Sequence, residues 1–349
     1  MTTGCDVVFG LTRPNATDAA APNIDANLAF ITSAAHDGNF NGLVGADAFC
    51  QSRAIAAGLD GSYVAWLSSD EPVNAIDRLD GSRGWVRPDG QPVADLPTDL
   101  GIRGPLVPIA ITEGGDDVRG LGLAWTGTVA NGTKANARVC ASWGSADSNV
   151  LAQIGDPSQG GGQFTQVSAP TVDRCNASNR LYCFGIGKTT ELVLPPATDP
   201  IMFVSDQLWL PTGGITSADA VCAQEAADAE LPGTYQAALA TSTQPIAARF
   251  STNHAYVRVD GVRIGTALTA ARIETFVNLT AAGRPVAGDT AVWTGGLPGV
   301  AGGNQTCNDW AGGVGSAGIT GEARATDGTA FRLESGATCS AHRIYCLAI

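Results

Sequence analysis

Eight cysteines fall into two sets of four in the same order: Cys50, Cys140, Cys175 and Cys183, then Cys222, Cys307, Cys339 and Cys346. The residues between them match as well. Cys50 precedes Tyr63 by thirteen positions, and Cys222 precedes Tyr235 by the same thirteen. Trp85-Val86-Arg87-Pro88-Asp89-Gly90 answers Tyr256-Val257-Arg258-Val259-Asp260-Gly261, each reading as a strand entering an Asp-Gly turn. Ala124-Trp125-Thr126-Gly127 answers Val292-Trp293-Thr294-Gly295, and the Cys-x-x-Trp of Cys140 and Trp143 answers that of Cys307 and Trp310. Arg180-Leu181-Tyr182-Cys183 answers Arg343-Ile344-Tyr345-Cys346. Solenoid units run to about 20–50 residues, so a repeat this long is a duplicated globular domain. The chain therefore divides into an N-terminal tether 1–27, a first domain 28–187, a linker 188–199 made semi-rigid by prolines, and a second domain 200–349.

Composition sets the class. Hydrophobic residues at 44% and charged residues at 15% belong to an ordered chain with two cores. Lysine occurs only at 134 and 188, which with the abundance of alanine and glycine points to a GC-rich bacterial genome. The net charge of −13 is spread over both copies, 16 acids against 10 bases in 28–187 and 12 against 8 in 200–349. Neither offers the basic face that phosphate neutralisation needs, which excludes nucleic acid, heparin-like polyanions and anionic lipid as partners.

The cysteine count needs a compartment. No spacing of cysteine with cysteine or histidine suits zinc, and the three histidines, His36, His254 and His342, are scattered. Disulfides in an oxidising compartment are the expectation, with three connectivities open in each copy. The ninth cysteine, Cys5, has no counterpart. Gly4-Cys5 resembles the end of a bacterial lipobox, and a tether-like stretch follows it, so Cys5 is expected to carry a lipid anchor; the bland alternative is a free or intermolecular thiol. No stretch reaches the about 20 apolar residues of a spanning helix.

Local punctuation gives the elements. Residues 28–33 read as a strand. Residues 46–58 read as a helix, with Phe49, Arg53 and Ala57 on one face and Gly58 as its stop, and their twin runs from 217 to 233 with Ser217 as cap. Strands are expected at 63–67, 125, 180–184, 235–239, 293 and 343–347. The stretches 70–123 and 241–291, rich in Gly, Pro, Asp and Asn, read as loops with short strands.

A helix bearing the first cysteine, a Gly-x-Tyr-x-Ala-x-Leu strand, a Trp-Thr-Gly strand, a Cys-x-x-Trp and a closing (Leu/Ile)-Tyr-Cys strand together resemble endostatin and its bacterial relatives. Those relatives include leptospiral endostatin-like surface proteins and tandem domains of delta-proteobacterial lipoproteins. The likeness covers about nine-tenths of the chain and is closest at residues 58–69. It implies an α+β, C-type-lectin-like fold in each copy, with two helices, a distorted antiparallel sheet and two nested disulfides. The implied pairs are Cys50 with Cys183 around Cys140 with Cys175, and Cys222 with Cys346 around Cys307 with Cys339.

The ligands of that family transfer less well. Nothing matches endostatin's histidine zinc ligands, and both copies lack its arginine clusters. The calcium loop of sugar-binding relatives needs Glu-Pro-Asn. Here Glu71-Pro72-Val73-Asn74 is interrupted and stands too early, and Cys307-Asn308-Asp309-Trp310 has the letters of Trp-Asn-Asp in the wrong order.

The remaining candidates are acids and aromatics. Glu113 with Asp116 and Asp117, or Asp77 with Asp80, are oxygen ligands for calcium in principle and hydrated loop residues in the bland reading. Trp125, Trp143, Trp293 and Trp310 read as core beside the disulfides, whereas Trp66, Trp85 and Trp209 lack identical twins and one of them is expected to be exposed. Arg180 and Arg343 are expected in structural ion pairs. No nucleophile elbow, metalloprotease helix or phosphate loop occurs.

The sequence thus reads as a non-catalytic, secreted or surface-anchored bacterial adhesin that holds an extracellular protein or glycan without a cofactor. The expected ligand surface is the longer loop region of the first copy, with Asp70, Glu71, Asp77, Trp85, Asp116 and Asp117. The alternatives are a calcium-dependent lectin and a structural spacer.

Overall fold

The computed structural model describes residues 25–70, 73–168, 172–251, 254–269, 272–286, 288–312 and 316–349. It is a mixed α+β structure with few helices, several sheets and four disulfides. The first half holds strands β1 (Asn27–Ile31), β2 (Ser62–Ala65), β3 (Trp85–Val86), β4 (Pro92–Ala94), β5 (Ala124–Trp125), β6 (Leu151–Gly155), β7 (Val172–Arg174) and β8 (Arg180–Ile186). They form one sheet in the order β4-β3-β1-β8-β5-β6-β7, with β2 also on β8. The second half holds β9 (Met202–Val204), β10 (Tyr235–Ala237), the hairpin β11 (Tyr256–Val257) and β12 (Arg263–Gly265), then β13 (Ala291–Trp293), β14 (Ala317–Glu322), β15 (Glu334–Thr338) and β16 (Arg343–Ala348). Its sheet runs β10-β16-β13-β14-β15, with β9 also on β16.

The closing strands explain why the sequence repeats where it does. β8 is antiparallel to β1 and β2 and parallel to β5; β16 is antiparallel to β9 and β10 and parallel to β13. Successive side chains of a strand point to opposite faces. Leu181 and Cys183 therefore enter one cluster with Phe30 and Trp143, and Tyr182 and Phe184 enter another with Trp66 and Trp85. Ile344 and Cys346 separate from Tyr345 and Leu347 in the same way. A strand buried on both faces reads as an apolar run without alternation, and both runs do.

One face of each sheet is covered by a helix of small residues. α1 (Leu43–Ala56) buries Ala46, Cys50 and Ala54, four apart, and ends before Gly58, whose φ of 70° stops it. In the second half α3 (Gly214–Asp228) buries Ala218, Cys222 and Ala226. Ser217 lies inside this helix and is not its cap; its hydroxyl donates to the Gly214 carbonyl (2.8 Å), which leaves an oxygen for the Trp209 indole N–H (3.2 Å). A further short helix, α2 (Pro97–Ile102), covers the first half; the second half has no counterpart among the described residues.

Each half is closed by its own bridges. Cys50–Cys183 ties α1 to β8, and Cys140–Cys175 lies within the loop it closes; Cys222–Cys346 and Cys307–Cys339 repeat the arrangement. Arg343 stands in an ion pair with the Asp206 carboxylate (3.9 Å), as expected, but both arginines bind chiefly main-chain carbonyls. Arg180 donates to Thr32 and Ser33, and Arg343 to Ser205 (2.7 Å), Asp206 (2.5 Å) and Asp289 (3.0 Å).

The halves also dock on each other. Gly155 and Gly321 are equivalent, since an added Cβ would meet the Phe164 carbonyl at 1.9 Å in one and the Ala330 carbonyl at 2.0 Å in the other. Counting on, Ser158 matches Arg324 and Gly160 matches Thr326. The Gly160 N–H donates to the Arg324 carbonyl (2.8 Å), and the Thr326 hydroxyl donates to the Ser158 carbonyl (3.0 Å). Contacts that exchange residues in this way define a local pseudo-twofold junction. Nearby, Arg258 (1% exposed) and Thr275 both donate to the Leu106 carbonyl, at 3.0 and 2.6 Å. The linker lies along the first half, where the Leu192 N–H donates to Asp95 (2.8 Å) and Leu194 packs on the core.

Candidate functional site

The acids singled out in the first half do not converge. Asp70 is exposed and faces Lys134 (3.7 Å) and the Ser142 hydroxyl. Asp77, in the turn Ile76–Leu79, accepts from the Asn74 amide (2.8 Å). Asp117 receives Arg119 through three contacts of 2.6–3.1 Å, and the neighbouring Asp116 is exposed with its N–H on the Thr112 hydroxyl (3.0 Å). Burial opposes ionisation of Asp117, but the Arg119 hydrogen bonds outweigh it and hold its carboxyl below the ordinary range. Among the described residues, no group of three or more His, Cys, Asp or Glu side chains is placed to hold a metal ion. Glu71 and Cys5 lie outside the described residues.

Trp85 corrects the expectation of an exposed ring. Pairing of β3 with β1 turns the indole into the core, where its N–H donates to the Gly185 carbonyl (2.8 Å) and its edge meets Phe184 (6.0 Å). Trp66 and Trp209 are buried too.

Each Cys-x-x-Trp motif forms one left-handed turn. Cys140, Ala141, Ser142 and Trp143 have φ of 45, 51, 56 and 64°, and Cys307, Asn308, Asp309 and Trp310 have 49, 58, 50 and 65°. Left-handed helix costs L-residues roughly 1–2 kcal/mol each, so these turns persist because their ends are fixed. At one end is the disulfide; at the other the tryptophan is fully buried, its N–H on the Ser68 or Ala240 carbonyl (2.7 Å in both). The exposed middle of the turn meets the loop after β2 or β10. In the first half the Asp70 N–H donates to Ser142; in the second, serine and aspartate exchange sides, and the Ser242 N–H donates to Asp309 (2.6 Å). Burial raises the Asp309 pKa, but the Ser242 and Thr306 hydrogen bonds more than offset this and the net shift is downward. Ala141 makes no side-chain hydrogen bond, so Ala141→Gly removes the Cβ penalty alone and is expected to raise stability by about 0.5–1 kcal/mol, measured by urea unfolding.

A second exchange concerns the loop after β1. In the first half Glu113 accepts from the Ser33 N–H (2.8 Å), the Ser33 hydroxyl (2.5 Å) and Arg53 of α1 (2.7 Å). Glu225 of α3 stands three residues after its helix cysteine, as Arg53 does, and itself caps the Asp206 and Gln207 N–H groups (2.8 and 3.0 Å). Burial opposes ionisation of Glu113, but the Ser33 and Arg53 hydrogen bonds hold its carboxyl low; burial, aided by Asp206, raises that of Glu225. A depressed carboxyl stabilises the fold above the unfolded pKa of about 4.3 and loses that contribution as pH falls through the folded value; a raised one gains as pH falls. Glu113→Gln is therefore expected to flatten the loss of stability between about pH 7 and 3, and Glu225→Gln to steepen it, as read from urea midpoints across that range.

Two clefts differ between the halves. In the first, a cleft of ≈ 470 Å³ opens between the Ile76–Leu79 turn and the start of α2, with Asp77 and Asp80 on its rim. In the second, a cleft of ≈ 560 Å³ is lined by Leu268, Ile273, Leu297, Pro298, Val300 and Phe331, with Asp327 and Gly328 at one side. The segments beside the two clefts differ in length. Leu106 N–H donates to the Val93 carbonyl and Glu274 N–H to the Ile264 carbonyl, so 95–105 corresponds to 266–273, eleven residues against eight. In the first half the extra length builds α2, with Pro97 at its start and the Asp99 carboxylate accepting from the Leu96 N–H (2.9 Å). The signal in the sequence was the aligned length of these two stretches, which motif matching does not weigh.

No protein-family model and no curated protein matches the sequence.

Proposed function

We propose that the chain is a non-catalytic extracellular binding protein of a bacterial surface, two tandem endostatin-like domains of C-type-lectin-like fold that grip a host, prey or matrix macromolecule. The observation that carries this reading is the ≈ 560 Å³ cleft, bounded by apolar side chains and set in a scaffold braced by four disulfides. Such bridges belong to an oxidising compartment. No helix among the described residues is long and apolar enough to cross a membrane, and attachment is assigned to acylation of Cys5. Of the carboxylates whose ionisation is shifted, Glu113, Asp117, Glu225 and Asp309 are engaged with main chain or neighbouring side chains in ways that hold loops in place. The cleft lies in the second half, so the proposed ligand surface moves there from the 70–117 loops.

The test is binding of the oxidised protein to immobilised extracellular-matrix extract and to whole cells, with and without chelator. Saturable binding that survives chelator supports the reading. Binding that needs calcium and is matched on a glycan array, or absence of binding to either surface, overturns it.

A further inference from the structure

Both halves bring the chain to their first strand along the same line. Leu28 of β1 pairs in parallel with Val86, and Ile201, just before β9, bridges Val257 in parallel; Ile31 faces Tyr182 as Val204 faces Tyr345. That register sets Pro22-Asn23-Ile24 against Pro195-Pro196-Ala197. In the second half these three residues have a fixed place. The Pro195 carbonyl lies 2.0 Å from where a Cβ on Gly261 would stand, and Ala197 packs, with Leu231, Val259 and Ala348, on the core beneath α3. In the first half the counterparts Leu59, Pro88, Gly90 and Gly185 line a cleft of ≈ 290 Å³, and an added Cβ on Gly90 would meet no described atom within 4 Å.

We propose that residues 22–24 of this chain occupy that cleft as a strap, in the way residues 195–197 cover the matching surface of the second half. Glycine at 185, where the second half has Ala348, enlarges the cleft, and isoleucine at 24, where it has Ala197, supplies the volume to fill it. The walls suit an apolar segment, because the cations among them are engaged elsewhere. Arg87 holds Asp89 and the Pro108 carbonyl, and Lys188 donates to the Ala26 carbonyl (3.0 Å). The strap also starts from a fixed point. The Asn27 amide donates to the Arg83 and Lys188 carbonyls (2.7 and 2.9 Å), and Ala26 and Asn27 themselves line the cleft. The segment before them therefore meets its seat at the high effective concentration of a very short linkage. This inference stands apart from the gripping function. It shortens the tether expected over 1–27 to the residues before Pro22 and sets its departure beside the Asp89-Gly90 turn of the first half.

The test uses the full oxidised chain with isoleucine and leucine methyls labelled. Cross-relaxation from the Ile24 δ1 methyl to the Leu59 methyls and the Tyr63 ring is expected, with the Ile24 resonance moved off its random-coil position by that ring. Ser62 is exposed on β2 and lines the cleft, so Ser62→Trp fills it from outside the core. In this variant the cross-peaks are expected to vanish, and thermolysin cleavage of the Asn23–Ile24 bond to quicken about tenfold or more as the segment is freed. If Ser62→Trp fails to fold, Ile24→Asp decides: it is expected to shift the Leu59 methyls, and Ile24→Val to leave them near their parent positions. An Ile24 methyl at its random-coil position or in contact elsewhere, cleavage equally fast in parent and Ser62→Trp, or Leu59 methyls unmoved by Ile24→Asp overturns the proposal. Contacts seen only between differently labelled chains would mean that the segment lies on a second copy, and overturn it as well.

Discussion

Replacing both Cys50 and Cys183 by alanine is expected to cost about 5 kcal/mol. The bridge spans 133 residues of sequence, and chain entropy makes the loss grow only with the logarithm of that span. The inner bridge, Cys140–Cys175, spans 35 and on the same reckoning is worth about 4 kcal/mol. Its removal also frees the left-handed turn at Cys140, so the strained backbone relaxes and offsets part of the loss. The order expected in guanidinium unfolding is therefore parent, inner pair removed, outer pair removed. An inner pair whose loss costs more than the outer would contradict the chain-entropy order, and an inner loss of the full amount, about 4 kcal/mol, would mean that freeing the turn offsets nothing.

Arg258→Ala is expected to be nearly as damaging, about 3–5 kcal/mol, because it removes one partner of a buried charge pair and leaves the others unpaired. The guanidinium binds Asp260 through two bonds (3.1 and 2.7 Å), Asn278 (3.1 Å) and, across the junction, the Leu106 carbonyl. Its sibling Arg87 binds Asp89 in the same way but spends its remaining contact on Pro108 of its own half (2.9 Å). The two arginines thus provide an internal control. Arg258→Ala is expected to split the calorimetric unfolding of the chain into two transitions, whereas Arg87→Ala lowers one half without uncoupling them. A single, uniformly shifted transition in Arg258→Ala would show that the Leu106 contact does not couple the halves.

What the sequence disclosed and what it concealed follow from the range of the interactions. The apolar runs of β8 and β16 and the Asp-Gly hairpins are legible because each is a local pattern that burial or turn geometry imposes directly, whereas spacing left three cysteine connectivities open in each half. Ser217 misled because a serine before an alanine-rich run suits a cap, yet the helix begins at Gly214 and uses the hydroxyl to hold Trp209. Trp85 misled because an unmatched tryptophan gives no sign of the Gly185 carbonyl that receives it. The left-handed turns were hidden for a physical reason: Cys-Ala-Ser-Trp and Cys-Asn-Asp-Trp contain no glycine, and their φ values are set by a disulfide and a buried indole. The pseudo-twofold junction arises from contacts to main-chain carbonyls, which no motif records.

Non-reducing peptide mapping of the native protein by mass spectrometry bears most directly on the claim that two sibling halves are each stapled within themselves. The expected linked pairs are Cys50 with Cys183, Cys140 with Cys175, Cys222 with Cys346 and Cys307 with Cys339. A bridge from the first set of cysteines to the second, or free thiols among these eight in native material, would contradict it.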